Sequence, residues 1–250
     1  MWDRGWWIEL ANLAAPYFQR AYKDEQSSIR RVIRGREYVV ERPNHGLAHS
    51  LRQAALATDI VVTLARQKHS RCASLRGMAV WAHDCIRDES RVRLLQLAAA
   101  FQRSGRQSEV SSSKDPALYA LYEEQDVANF RRVATNYFPK KAVARFARAI
   151  RWNTHDDPIA RVLHAAHVLD LRRILSFDAD RIRSDTARIL VGLRCSTAVK
   201  SIVDLLWDMS GQYLVETGDR DLVSQRRVSD LFFQHTASSL ALAILNSKSP

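Results

Sequence analysis

Two imidazoles and a guanidinium stand at i, i+4 and i+7 in Arg42-Pro43-Asn44-His45-Gly46-Leu47-Ala48-His49-Ser50-Leu51-Arg52. In a helix that spacing puts all three on one face. Asn44 suits an N-cap, because its side-chain oxygen can accept from first-turn backbone N–H groups, and His45 would then sit near the positive end of the helix dipole. Such a face fits an anion; its competing reading is a pair of ordinary packing or surface histidines. A second set lies in Leu163-His164-Ala165-Ala166-His167-Val168-Leu169-Asp170-Leu171-Arg172, where His164 and His167 are at i, i+3 and Asp170 follows three further on. Either imidazole can face a site, and packing competes here too. Groups of these types suffice for phosphodiester chemistry, which needs negative charge neutralised, phosphorus attacked in line and a leaving oxygen protonated. One histidine can attack or activate the attacking hydroxyl, a carboxylate can hold that imidazole in its reactive tautomer, and a second histidine can protonate the leaving group.

Four ordered segments, covering about half the chain, resemble the phosphodiesterase domain of SidE-type bacterial effectors and of the stand-alone phosphoribosyl-ubiquitin deubiquitinases related to them. They are the stretch over 42–52, Phe101-Gln102-Arg103-Ser104-Gly105-Arg106-Gln107-Ser108-Glu109, which is similar to that family's S-G-R-x-x-E segment, Tyr122-Glu123-Glu124-Gln125-Asp126-Val127-Ala128-Asn129-Phe130, and the stretch over 163–172. The resemblance implies an all-α, distantly HD-phosphohydrolase-like core that works without a metal or other cofactor. It implies His45 as nucleophile or base, Glu109 as the carboxylate that orients it, and His167 as general acid, with His164 supporting or taking that last role. His49 and Arg52 would contact phosphoryl oxygens, with Arg42 and Arg106 as further candidates. The implied substrates are phosphoribosyl- or ADP-ribosyl-modified proteins, ubiquitin first, in the cytoplasm of the producing bacterium or, for an exported effector, in a host cytosol. No mono-ADP-ribosyltransferase segment accompanies these motifs. The expectation is therefore release of phosphoribosyl-linked ubiquitin from serine, processing of ADP-ribosylated ubiquitin made elsewhere, or action on an unrelated ADP-ribosyl or nucleotide diester.

A metal-dependent reading stands beside this one. A histidine, an adjacent His-Asp and a late Asp follow the order of the HD phosphohydrolases, met here by His45 or His49, His83-Asp84, and Asp170 or Asp156. His49, His83, Asp84 and Asp170 would then hold a divalent cation whose bound water attacks. The plain reading of His83-Asp84 is a hydrogen-bonded pair at a helix end. The non-enzymatic rival is a basic helical module that binds an anionic partner.

Helices must position these groups, and apolar residues recur at helical spacing over about 6–22, 46–67, 74–86, 91–103, 117–137, 140–152, 158–176, 197–214 and 221–245. Strand-type alternation is sparse; Val39-Val40-Glu41 reads as a short extended piece. Gly105, Ser111-Ser112-Ser113 and Asp115-Pro116 mark a loop from Ser104 to Pro116 that contains Glu109. Asp157 and Pro158 read as the cap and first turn of a helix, which makes His155 and its neighbouring carboxylates capping residues rather than ligands. No repeat or linker interrupts the 250 residues, so the expectation is one all-α domain over 1–250.

The net charge of +11, carried mostly by arginine, favours anionic ligands. Its spread along the chain, without RNA-binding aromatics or a helix-turn-helix pattern, disfavours nucleic acid. Ser28-Ile29-Arg30-Arg31-Val32-Ile33-Arg34 is short for an amphipathic membrane-surface helix and reads as a solvated basic face. No apolar run reaches the length of a membrane span, and the Trp-rich start lacks the order of a secretory signal. Cys72, Cys85 and Cys195, odd in number and without metal spacing, read as reduced thiols.

Overall fold

The computed structural model describes residues 3–18, 29–33, 36–40, 46–106, 115–151, 156–173, 178–192 and 197–217. Among them are nine α-helices: α1 (Arg4–Phe18), α2 (Leu47–Ala65), α3 (Ala73–Ile86), α4 (Glu89–Phe101), α5 (Pro116–Ala134), α6 (Lys140–Ile150), α7 (Pro158–Asp170), α8 (Ala179–Val191) and α9 (Lys200–Thr217). An antiparallel pair, β1 (Ile29–Ile33) and β2 (Arg36–Val40), joins Ile29 to Val40 and Ile33 to Arg36 in register. The basic stretch around Ile29 is thus a strand and not a helix, in keeping with its β-branched Ile29, Val32 and Ile33. The extended piece expected at Val39-Val40 is the end of β2.

The architecture follows from α2, which is buried on nearly every side and touches α1, α3, α4, α7 and α9. Leu51, Leu56, Ile60, Val61 and Leu64 with four alanines make it apolar around its whole circumference, the pattern of a central helix. The outer helices each lay one apolar stripe against a single continuous core that runs from Trp6 and Trp7 in α1 to Leu206 and Tyr213 in α9.

Polar side chains on so buried a helix must find partners inside the fold. Several find them on α4 and α9. Ser50 donates to the Ala100 carbonyl of α4 at 2.5 Å; Gln96 of α4 donates to Thr58 at 3.1 Å and accepts from the Trp6 indole of α1 at 2.6 Å; Tyr213 of α9 donates to Asp59 at 2.5 Å. Burial pushes the Asp59 carboxyl up to about 7, against the pull of the Tyr213 hydroxyl.

Helix boundaries follow local chemistry. Asp115 accepts from Leu118 N at 2.9 Å to start α5, and Asp157 accepts from Ile159 N at 2.8 Å to start α7, each with proline in the first turn. Gly46 is the N-cap of α2; Asn44 and His45, expected at its cap and near its positive end, lie outside the described residues. The periodicity reading omitted α8, although Asp178 caps it and Gly192 follows its last residue; the segment expected over 221–245 lies outside the described residues. Cys72 is disulfide-bonded, which corrects the expectation of reduced thiols throughout; Cys85 is a buried free thiol, and Cys195 lies outside the described residues.

Candidate functional site

The first two turns of α2 carry His49 and Arg52 into the contact with α7, where Asp170, the last residue of that helix, receives both. The His49 Nδ1 lies 2.5 Å from Asp170 Oδ2, while Arg52 donates from Nε to Oδ1 at 2.7 Å and from Nη2 to Oδ2 at 3.4 Å. All three side chains are buried. Arg52 supplies the positive charge that a buried carboxylate requires, and Asp170 in turn fixes the plane and the engaged nitrogen of the His49 ring. His167, one turn before Asp170 on α7, packs edge-on against His49 with ring centroids 5.4 Å apart and a 77° interplanar angle. Two imidazoles, a carboxylate and a guanidinium therefore form one unit at the α2–α7 contact.

The turn that leaves α4 is built as rigidly. Gln53, beside Arg52, donates through Nε2 to Gln102 Oε1, tying the turn to α2. The Asp126 carboxylate of α5 accepts from the backbone N–H of Arg103 at 3.0 Å and of Gly105 at 2.6 Å, one oxygen to each. Arg103 is left-handed, with φ of 79°. Gly105 has no room for a side chain: a Cβ there would stand 2.6 Å from the Tyr122 carbonyl and 2.8 Å from Asp126 N. Asn129 donates to the Ser104 hydroxyl at 3.2 Å, and the guanidiniums of Arg103 and Arg106 lie 4.9 and 5.9 Å from the centre of the Tyr119 ring. Burial pushes the Asp126 carboxyl up to about 7, opposed by Arg103 and by the two N–H groups it accepts. Serine, glycine and arginine of the S-G-R segment thus seat this turn on α5, and the turn leads directly into the segment that holds Glu109.

Gln102 also lines a cavity of about 370 Å³ with His164, Ala160 and Arg161 of α7, Arg188 and Ile189 of α8, Ala149 of α6 and Asp156. Arg161 lies 3.5 Å from Asp156 and donates to the Leu190 carbonyl at 3.4 Å, and Arg188 pairs with Asp185 at 2.8 Å. Both wall arginines are thus set against acids, and the same α7 turn that offers His167 to His49 offers His164 to this space.

Residues 21–223 match the SidE phosphodiesterase (PDE) domain family. The chain belongs to that family. Its fold is similar to that of lpg1496 from Legionella pneumophila: the C-terminal domain solved in complex with nucleotide is 18% identical, with a TM-score of 0.60 over 97% of this chain and 96% of that one. A structure of lpg1496 under 350 MPa gives 19% identity and a TM-score of 0.61 over 97% and 96%. Against a longer structure of the same protein, described as uncharacterized, the TM-score is 0.58 at 18% identity over 85% of this chain, which spans 58% of that one. These likenesses are of fold. No curated protein matches the chain.

Of the SidE-type site residues read from the sequence, the structure brings His49, Arg52 and His167 into one unit, seats Arg106 in the turn after α4 and sets His164 on the cavity wall. Arg42, His45 and Glu109 lie outside the described residues. Of the alternative metal set, His49 and Asp170 are joined through the carboxylate that also holds Arg52. His83 and Asp84 sit 3.7 Å apart in the last turn of α3 with side chains 31% and 63% exposed. Among the described residues no group of three or more His, Cys, Asp or Glu side chains could hold a metal ion, so these four residues do not assemble as one ligand set. Among them, too, no helix is long and apolar enough to cross a membrane.

Sequence reasoning gave Asp170 only a metal-binding role and Asp126 none. The partnership of Asp170 follows only from burial: once packing withdraws Arg52 from water it requires a carboxylate, and Asp170 at the end of α7 supplies it. Gln102, Arg161 and Arg188 had no sequence signal either, because only packing brings them to one cavity.

Proposed function

We propose that this domain is a metal-independent phosphodiesterase acting on ADP-ribosyl or phosphoribosyl protein linkages, with ubiquitin the first candidate protein. The observation that carries the reading is the buried His49–Asp170–Arg52 unit packed against His167, with His164 of the same helix on an arginine-lined cavity. In this scheme His45 is the nucleophile or base, Glu109 orients it, and His167 protonates the leaving oxygen. His49, held by Asp170, fixes the ring of His167 from the side, and His164 with the cavity arginines faces the phosphoryl oxygens. For hydrolysis one phosphorus–oxygen bond breaks, water supplies the new oxygen, and a proton goes to the leaving oxygen, which is the serine hydroxyl of a phosphoribosyl linkage or a phosphate oxygen of an ADP-ribosyl pyrophosphate. Membership of the SidE phosphodiesterase family and the nucleotide complex of the similarly folded lpg1496 domain both favour a phosphate-bearing ligand.

The test incubates the protein with ADP-ribosyl-ubiquitin, phosphoribosyl-serine-linked ubiquitin and free ADP-ribose, and follows AMP or released ubiquitin. Turnover of a ubiquitin-linked species is expected to survive exhaustive chelation. It should fall about a hundred- to ten-thousandfold in His45→Ala and in His167→Ala, with helical content unchanged. Turnover confined to free ADP-ribose would remove ubiquitin from the reading and keep the phosphodiesterase. Loss with chelator, together with an inactive Asp84→Ala, would replace it by the metal-dependent scheme.

A further inference from the structure

On α4 and α8 exposed arginines are neutralised within a turn. On α4, Arg91 meets Asp88 at 3.0 Å and Arg93 meets Glu89 at 2.8 Å; on α8, Arg183 meets Asp180 and Arg188 meets Asp185, both at 2.8 Å. α6 differs. From Val127 to His155 the sequence holds seven Lys and Arg and no Asp or Glu. Val143, Phe146, Ala147, Ala149 and Ile150 take α6 into the core, and Lys140, Lys141, Arg145 and Arg148 face solvent. Among the described residues none of those four forms an ion pair; Arg151, just past the helix, meets Glu124 at 2.8 Å.

Four like charges held along about 12 Å of helix repel one another unless an anion lies across them. The helix also points somewhere: Ala149, next to the exposed Arg148, lines the cavity that holds His164, with Arg161 and Arg188 on its other wall. We propose that the solvent face of α6 docks an acidic peptide segment of the protein substrate, the chain flanking the residue whose phosphodiester enters the cavity. This assignment of substrate class rests on the proposed function. The buried apolar face of α6 leaves nothing to insert into a lipid surface, and no aromatic side chain interrupts its cations to stack on bases. A flexible carboxylate-bearing chain matches the remaining chemistry, a line of Lys and Arg continuous with the mouth of the site.

Fluorescence anisotropy with a labelled Glu-rich peptide tests this without turnover. The intact chain is expected to bind it, to ignore a Lys-rich peptide of the same length, and to weaken at least about tenfold with added salt or in the variant K140Q/K141Q/R145Q/R148Q. Circular dichroism of that variant should match the parent, and its turnover of free ADP-ribose, where present, should be unchanged. Equal binding by parent and variant overturns the proposal, as does a preference of the parent for phosphatidylserine vesicles or single-stranded RNA over the acidic peptide. Peptide binding that depends on α6 in a chain without phosphodiesterase activity overturns the catalytic reading alone.

Discussion

At the scale of single residues, Asp170 decides the site. Its carboxylate is shared by an imidazole and a guanidinium that are both withdrawn from water, and removing one member strands the others. Breaking a buried pair in this way costs roughly 3–5 kcal/mol, far more than an exposed one. Asp170→Ala is therefore expected to lower the denaturant midpoint strongly, and Arg52→Ala nearly as much, whereas Asp84→Ala, whose partner His83 is partly exposed, should leave it nearly unchanged. Equal midpoints for all three would mean that Asp170 is not the anchor. Gly105 is the other position with no latitude. A methyl there meets the α5 backbone at 2.6 and 2.8 Å, so Gly105→Ala must push the turn off Asp126. A loss of about 1–3 kcal/mol is expected, along with slower turnover, because the displaced turn leads into Glu109. Unchanged turnover in a destabilised Gly105→Ala protein would separate the turn from the chemistry.

At the scale of elements, α2 is docked through polar contacts that specify its neighbours one by one, and the Asp59–Tyr213 contact does this for α9. Burial raises the Asp59 carboxyl from its ordinary range to about 7. The folded state thus holds a proton that the unfolded chain has released over the interval from about 4 to 7, and stability falls as pH rises through that window. Asp59→Asn removes the titration. The melting temperature of the parent relative to Asp59→Asn should consequently be higher at pH 5 than at pH 8, with the offset closing or reversing across the window. A constant offset would show that Asp59 does not titrate there. Asp126 is raised to a similar value and acts in the same direction, but Arg103 opposes the rise from the turn after α4 and Glu123 adds to it from α5. Its variant is the less direct probe.

At the scale of the whole molecule, the +11 charge is unevenly neutralised. α4 and α8 set arginines against neighbouring acids, while the solvent face of α6 leaves a cationic approach to the cavity that holds His164. Long-range attraction of that kind is screened within about 10 Å at 0.1 M salt. kcat/KM on a ubiquitin-linked diester should accordingly fall as salt rises from about 0.05 to about 0.3 M, mainly through KM. A kcat that drops instead, with KM constant, would place the salt effect at the chemical step.

Local signals settled a large share of this protein. Helical periodicity and capping residues located eight of the nine described helices, with Asp115-Pro116 and Asp157-Pro158 at the starts of α5 and α7, because caps and first turns depend on neighbours a few residues away. The ordered motifs identified the family, and the spacing of His49 and Arg52 placed them together on α2. The start of α2 was read to within a residue, but its cap was assigned to Asn44, whereas the folded chain caps it with Gly46, which has no side chain to signal the role. Burial was also beyond local reach. Arg52 reads as a phosphate contact from its type and spacing, yet it is held by Asp170, 118 residues away. Likewise Arg106 lies against Tyr119, and the Gly105 requirement arises from α5, a helix that begins only at Pro116. A charged side chain in sequence is presumed to face water; only tertiary packing removes that water and makes a distant partner obligatory.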